Sequence, residues 1–170
     1  FGFKEPFLRL GTRHPTIAPF GVYSCADENI VIAAGTDSLF EDLCRVLDRE
    51  ELLDDERFAT GDARAENYAE LYVEIEAVLE TDTAETWIKK LQAERVPAGP
   101  IHDTQSVWED KHVQRRKLRR TMERDGRPDA EVIDHPIHFT ELSTELSKAP
   151  EELGESTVDV LECLGYDNSE

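Results

Sequence analysis

Apolar and polar positions alternate with two different periods along this chain, and each change of period marks an element. Val22 to Cys25 and Ile30 to Ala34 are β-favouring runs on either side of a polar turn, Asp27-Glu28-Asn29, and predict an antiparallel hairpin. The period then lengthens. Leu39, Phe40, Leu43, Val46 and Leu47 recur at helical spacing behind Thr36 or Asp37 as the cap. A long helix is predicted over 62–79, with Ala65, Tyr68, Ala69, Tyr72, Ile75 and Leu79 as its apolar stripe. Another starts at Asp82, with Glu85 as capping-box partner and Trp87, Ile88 and Leu91 on its apolar side. The string VPAGPI, 96–101, breaks that pattern.

The pattern is more polar beyond this point. Residues 106–110 predict a short helical turn. Residues 117–123 alternate, and Asp125-Gly126 signals a turn before Glu131 to Ile133, giving a second hairpin. Residues 134–156 read mostly as loop, and Ser156 caps a last helix through Val158, Leu161 and Leu164 that stops at Gly165. At the other end, Pro6, Gly11, Pro15 and Pro19 make 1–20 an extended, irregular lead-in, because proline removes a donor and restricts its predecessor. The fold class is α+β, helices packed with short antiparallel β-hairpins. The expected division is a lead-in and loop over 1–20, a small α+β domain over 21–140, and a C-terminal segment and helix over 141–170.

Charge narrows the function. A chain of 170 residues with 39% hydrophobic content buries a real core, so its net charge of −19 does not imply disorder. With a pI near 4.6 it excludes nucleic acid as a partner, since phosphates are repelled along most of the surface. An acidic surface of this kind repels itself at low ionic strength and is screened by salt, so a salt-adapted source is expected. Cys25, Cys44 and Cys163 are widely separated, without CxxC spacing, and read as buried small hydrophobes in a reducing compartment. No signal peptide or membrane span is visible in the sequence, and a cytoplasmic location is expected.

Few residues offer chemistry. Arg13 and His14 stand together in GTRHPTIAPFGVY, 11–23, where a glycine- and proline-fixed loop can set an imidazole and a guanidinium beside an anionic ligand. The bland alternative is a histidine that satisfies backbone groups in a tight turn. His112, His135 and His138 suggest metal only superficially, because Pro136 splits the pair and no Cys or carboxylate spacing completes a ligand set. The cysteines sit in apolar patterns, where a thiol stays protonated and is a poor nucleophile. The basic run RRKLRR, 115–120, either contacts the phosphates of a nucleotide-like cofactor or pairs with neighbouring acids. There is no Walker loop, GxGxxG or GxSxG. No catalytic residue is assigned.

Five strings, in order over 10–166, resemble the class III CoA-transferases, the CaiB/BaiF family. They are GTRHPTIAPFGVY; IVIAAGTD-x-LFEDLC; DDERFAT-x3-R-x2-N ending at Asn67; ETWIKKL followed by VPAGPI; and LGESTVDVLECLGY, where Ser156 stands in place of the family's more usual His. The resemblance implies a two-domain enzyme forming an interlocked homodimer. Its larger, Rossmann-like domain binds CoA and supplies an aspartate, which forms a mixed anhydride and then an aspartyl-CoA thioester. The smaller domain closes over that site, often with a glycine-rich loop.

This chain starts at Phe1 and enters almost directly into the smaller domain. It is expected to lack the larger domain and the nucleophile, and to be inactive alone. Residues 141–170 would lead back toward the larger domain. At the flap position only Gly11 stands in place of a glycine run, which implies a stiffer Arg-His-Pro loop. Gly11, Arg13, His14, Pro15 and Pro19 are carried over as active-site-facing loop positions. The implied function is CoA transfer between organic acids, such as small dicarboxylates, with coenzyme A as substrate rather than bound cofactor. An α-methylacyl-CoA racemase of the same family, or a non-catalytic binding domain, are the alternatives.

Overall fold

The computed structural model describes residues 9–137, 139–142 and 148–166. His138 therefore lies outside the described residues, as does Pro6. The chain divides into two compact units, Phe1–Ile101 and His102–Glu170. That division falls inside the 21–140 segment that the sequence suggested as one domain.

The first unit is built on strands β1 (Phe20–Ser24) and β2 (Asn29–Ala33), the antiparallel hairpin expected, with Val22 opposite Val31. A third strand, β3 (Ala98–Pro100), pairs antiparallel with β2 and makes the order β1-β2-β3. The sequence showed this stretch only as a helix breaker. Three residues holding Gly99 and Pro100 carry no strand period, and their pairing comes from Ile30 and Ile32 beside them.

Helix α1 (Asp37–Val46) begins at Thr36, whose hydroxyl accepts from the Leu39 amide at 3.3 Å. The predicted 62–79 helix is two helices, α2 (Gly61–Glu66) and α3 (Tyr68–Leu79). Asn67 separates them with φ −98 and ψ 33, and its side-chain amide donates to the Ala63 carbonyl at 2.9 Å and the Arg57 carbonyl at 3.2 Å. That local competition with the helix ladder is what breaks it. The apolar stripe is also rotated from the one expected: Leu71, Ile75 and Leu79 face the core, each fully buried.

Helix α4 (Ala84–Ala93) is capped by Thr83, not Asp82, and Glu85 pairs with Lys89 at 2.5 Å. The Asp27 carboxylate, from the hairpin turn, takes the Ala84 amide at 2.7 Å and so ties β1-β2 to α4. Trp87 anchors the same helix through its indole N–H to the Leu79 carbonyl at 2.8 Å. Around these elements one continuous core runs from Tyr23 to Val96.

The second unit holds α5 (Lys111–Arg115), strands β4 (Arg119–Arg124) and β5 (Arg127–Ile133) paired antiparallel, and α6 (Thr157–Cys163). The turn is at Asp125-Gly126, with Gly126 at φ 68, where a side chain would be strained. Residues 106–109 make a 3-10 turn, and α5, which no strong apolar period announces, follows it on an Asp110 cap. Ser156 stands at the N-cap of α6 without a side-chain cap bond; its hydroxyl lies 3.3 Å from the Lys148 ammonium. Among the described residues of this unit only Asp134 is buried, and no apolar side chain is.

Candidate functional site

Two prolines and a buried arginine decide the shape of the 11–20 loop. The Ala18-Pro19 peptide is cis, the Pro19 carbonyl accepts from the Ala34 amide at 2.9 Å, and the His14 amide donates to the Phe20 carbonyl at 2.9 Å. Arg64, only 1% exposed, donates to the carbonyls of Ala18 (3.1 Å) and Phe58 (3.0 Å), pairs with Asp37 at 2.6 Å, and lies over the Phe40 ring. One guanidinium thus satisfies carbonyls from the loop and from the segment before α2, which is how so polar a group is tolerated inside. Gly35 admits the loop closely, since a Cβ there would stand 1.9 Å from Ile17 Cγ2.

Both Arg64 and Gly35 belong to the quoted strings, yet neither has a role that the sequence alone reveals. A buried arginine breaks the apolar stripe that marks core positions, so periodicity passes over it. A glycine kept free for a distant side chain has no local signature at all.

His14 makes the tight-turn contacts of the bland reading. Its Nδ1 accepts from the amides of Thr16 (3.2 Å) and Ile17 (3.1 Å), and its ring stacks on Phe20. An accepting Nδ1 puts the proton of the neutral ring on Nε2, which is left as the nitrogen for an external partner. Pro15 lies within this turn and Gly11, at φ 67, opens it.

Arg13 lies with its guanidinium 4.9 Å from the centre of the Tyr68 ring. Among the described residues it has no ion pair, although acids outnumber bases 38 to 19 in the chain. It lines an open concavity of about 490 Å³ with Leu10, Val22, Tyr68, Tyr72 and Val73. Gly21 opens space here too, since a Cβ would meet the Tyr68 hydroxyl at 2.8 Å. The structure therefore brings Gly11 and Arg13 to this groove, while His14, Pro15 and Pro19 shape the loop behind it.

The groove's polar groups form a graded set. Tyr72 donates to Glu76 at 2.5 Å, and Glu76 also takes the Ser24 amide at 3.0 Å. Burial, then the Glu76 carboxylate, push the Tyr72 phenol up to about 12. Burial alone would raise Glu76, but the bonds from Tyr72 and Ser24 outweigh it and hold the carboxyl below its ordinary value. Tyr68 is raised by burial, less the pull of its neighbours Tyr23 and Arg13. Tyr23, stacked on Tyr72 at 5.0 Å, is buried with its hydroxyl lacking a well-formed hydrogen bond, and burial raises it furthest. These phenols stay protonated at neutral pH, and Tyr72 donates to Glu76.

The cysteines do not belong to this site. Burial pushes Cys25 up to about 11 and Cys44 up to about 12, but Cys163 is exposed on α6 and corrects the expectation of three buried thiols. Among the described residues no group of three His, Cys, Asp or Glu side chains is placed to hold a metal ion. The basic run is split: Arg119 pairs with Glu131 and Arg120 with Asp134, but Arg115 and Lys117 have no acidic partner among the described residues.

The family model described as CoA-transferase family III matches residues 3–157. The chain belongs to that family. It is similar to the succinate–glutarate CoA-transferase of Agrobacterium fabrum, 32% identical over 92% of this chain and 39% of that protein. The human succinyl-CoA:glutarate CoA-transferase is 29% identical over 98% of the chain and 38% of its own length. A crystal structure of a CaiB/BaiF family protein from Brucella suis superposes with a TM-score of 0.72 at 29% identity, covering 94% of this chain and 41% of that one. This chain thus spans about two fifths of the relatives it matches. Among the described residues no helix is long and apolar enough to cross a membrane.

Proposed function

We propose that this family III chain is the smaller domain of an acyl-CoA:carboxylate CoA-transferase that moves CoA between organic acids, small dicarboxylates among them. The larger domain supplies the aspartate that carries the acyl group and then CoA, in a cytoplasmic, interlocked homodimer. Coenzyme A is a substrate of this enzyme and not a resident group. The observation that carries the reading is Arg13, which has no acid partner among the described residues and lies over Tyr68 in the lining of the groove. Such a guanidinium offers a charge-assisted hydrogen bond to the free carboxylate of an acceptor acid, with the groove wall taking its methylenes. The protonated phenol of Tyr68 adds a neutral donor beside it, while the Tyr72 hydroxyl is already committed to Glu76. The tethered loop presents these groups with little entropy left to lose on binding.

Kinetics of the enzyme that joins both domains test this. Arg13→Ala is expected to raise KM for the acceptor acid about 10-fold or more, as a lost charge-assisted bond of about 1.5–3 kcal/mol requires. His14→Ala is expected to lower kcat more than it raises KM, because its ring orders the loop. Unchanged kinetics in both variants contradict the assignment of the groove. The 170-residue chain alone is expected to form no new thioester from succinyl-CoA and glutarate; turnover by it would show that the nucleophile lies within these residues.

A further inference from the structure

The second unit contains a pocket whose charge is opposite to that of the chain. It measures about 540 Å³ and is lined by Trp108, Val113, Lys117, Leu118, Arg119 and Arg120 together with Gln114. Every charged side chain in its lining is positive, in a chain with twice as many acids as bases. By contrast, the cavity around Arg124, Arg127 and Lys148 carries Glu123, Asp125, Glu151 and Glu155 in the same wall and neutralises itself.

The cations of the first pocket are held in different ways. Arg120 is braced from behind by Asp134, whose side chain is 7% exposed and whose carboxylate takes Nε at 2.5 Å, leaving the terminal nitrogens of the fork for another acceptor. Arg119 is anchored by Glu131 and lies with its guanidinium over the Trp108 ring, 5.8 Å from its centre. Lys117 has no ion pair among the described residues. It also ends α5 in the left-handed region, at φ 52, with its amide bonded to the Gln114 carbonyl. Glycine meets that backbone requirement at less cost, so a lysine there gives up local ease for a charged side chain.

An indole, apolar sides from Val113 and Leu118, and cations in the same lining match one ligand chemistry. An aromatic base stacks on the indole, and a phosphate meets a lysine point charge and an arginine fork. We propose that this pocket binds a purine nucleotide, with the base against Trp108 and Arg119 and a phosphate on Lys117 and Arg120. The proposal is independent of the transferase reading, which rests on the Arg13 groove.

Tryptophan fluorescence of the whole chain tests it. The chain has two tryptophans, and Trp87 is buried against the Leu79 carbonyl, so Trp108 reports on the pocket. AMP is expected to change the emission saturably, with adenosine and inorganic phosphate each binding about tenfold more weakly than AMP or worse. Lys117→Gly removes the charge while relieving the backbone. It is expected to leave the unfolding temperature unchanged or higher, to weaken AMP about tenfold, and to leave adenosine unaffected. Competition by coenzyme A assigns the nucleotide to that carrier, and AMP binding indifferent to coenzyme A assigns it to a free nucleotide; either outcome supports the pocket chemistry. Absence of a saturable response at millimolar AMP overturns the proposal. So does phosphate binding as tightly as AMP, or AMP affinity untouched by Lys117→Gly.

Discussion

The two units of this chain hold themselves together by different means. Residues 9–101 close around a core in which Ile30, Ile32, Leu43, Leu71, Ile75, Leu79 and Leu91 are completely buried. Residues 102–166 bury no apolar side chain among those described; Ile133, Leu153, Val160, Leu164 and Tyr166 are all more than half exposed. What joins the second unit is polar: Arg119–Glu131, Arg120–Asp134, and Arg127 with Glu152 and Glu155 around a two-stranded hairpin. Such a hairpin is marginal in water without a further apolar face, and exposed ion pairs add little. The lesson is that family membership over the whole chain does not imply uniform stability along it. The first unit has its own driving force, and the second presents apolar surface suited to a protein partner such as the proposed larger domain.

Truncations in the two units should separate most sharply. Leu71→Ala or Ile75→Ala is expected to lower the unfolding free energy by about 2–5 kcal/mol, because each empties a filled core position. Val160→Ala, at a side chain 55% exposed, is expected to change it by less than about 0.5 kcal/mol. Denaturant melts of the three variants compare them directly, and similar losses would erase the distinction between the units.

Arg64→Met comes next. It strips the Ala18 and Phe58 carbonyls of their donor and should cost about 3 kcal/mol, with Arg64→Lys recovering only part because a single ammonium cannot reach both. In the proposed two-domain enzyme the same change should also disturb the 11–20 loop and raise KM. A stable Arg64→Met protein would show that the loop is held by its prolines alone.

Salt should raise the midpoint of the first unit more than that of the second, by a smaller amount. Both units are acidic, so screening relieves self-repulsion in each and raises the midpoint of the first, the behaviour of a salt-adapted protein. In the second unit the same screening also weakens the ion pairs that stand in for a core, which offsets the gain. Thermal unfolding from low to molar potassium chloride, followed through Trp87 for the first unit and Trp108 for the second, resolves the two. A flat response of the first unit would return its charge to an ordinary acidic surface.

What the sequence revealed follows the same line. The first hairpin, α1 and α4 were legible because strong apolar periods and short turns mark them, and in a unit with a core those periods coincide with burial. The rotation of the α3 stripe was not legible. Tyr68, Ala69 and Tyr72 keep helical spacing as well as Leu71 does, and only the position of β1 decides which face is core and which lines the groove. The break at Asn67 was hidden because the apolar spacing runs through it, and the competing bond is made by its own side chain. Of the site, the Arg13-His14 loop was legible from its prolines and glycine. Tyr68 under Arg13, and Arg64 behind Ala18, depend on residues about 50 positions away, which no local pattern encodes.

Native-state hydrogen exchange on the intact chain tests the central claim most directly. Amides of β2, α3 and α4 are expected to exchange only through global unfolding, at rates that track the full stability of the first unit. Amides of β4, β5 and α6 are expected to exchange many times faster, through opening that leaves the first unit intact, and to slow when the larger domain is present. Equal protection in the two units of the isolated chain would contradict the account, since it would mean that the second unit has a source of stability other than its surface ion pairs.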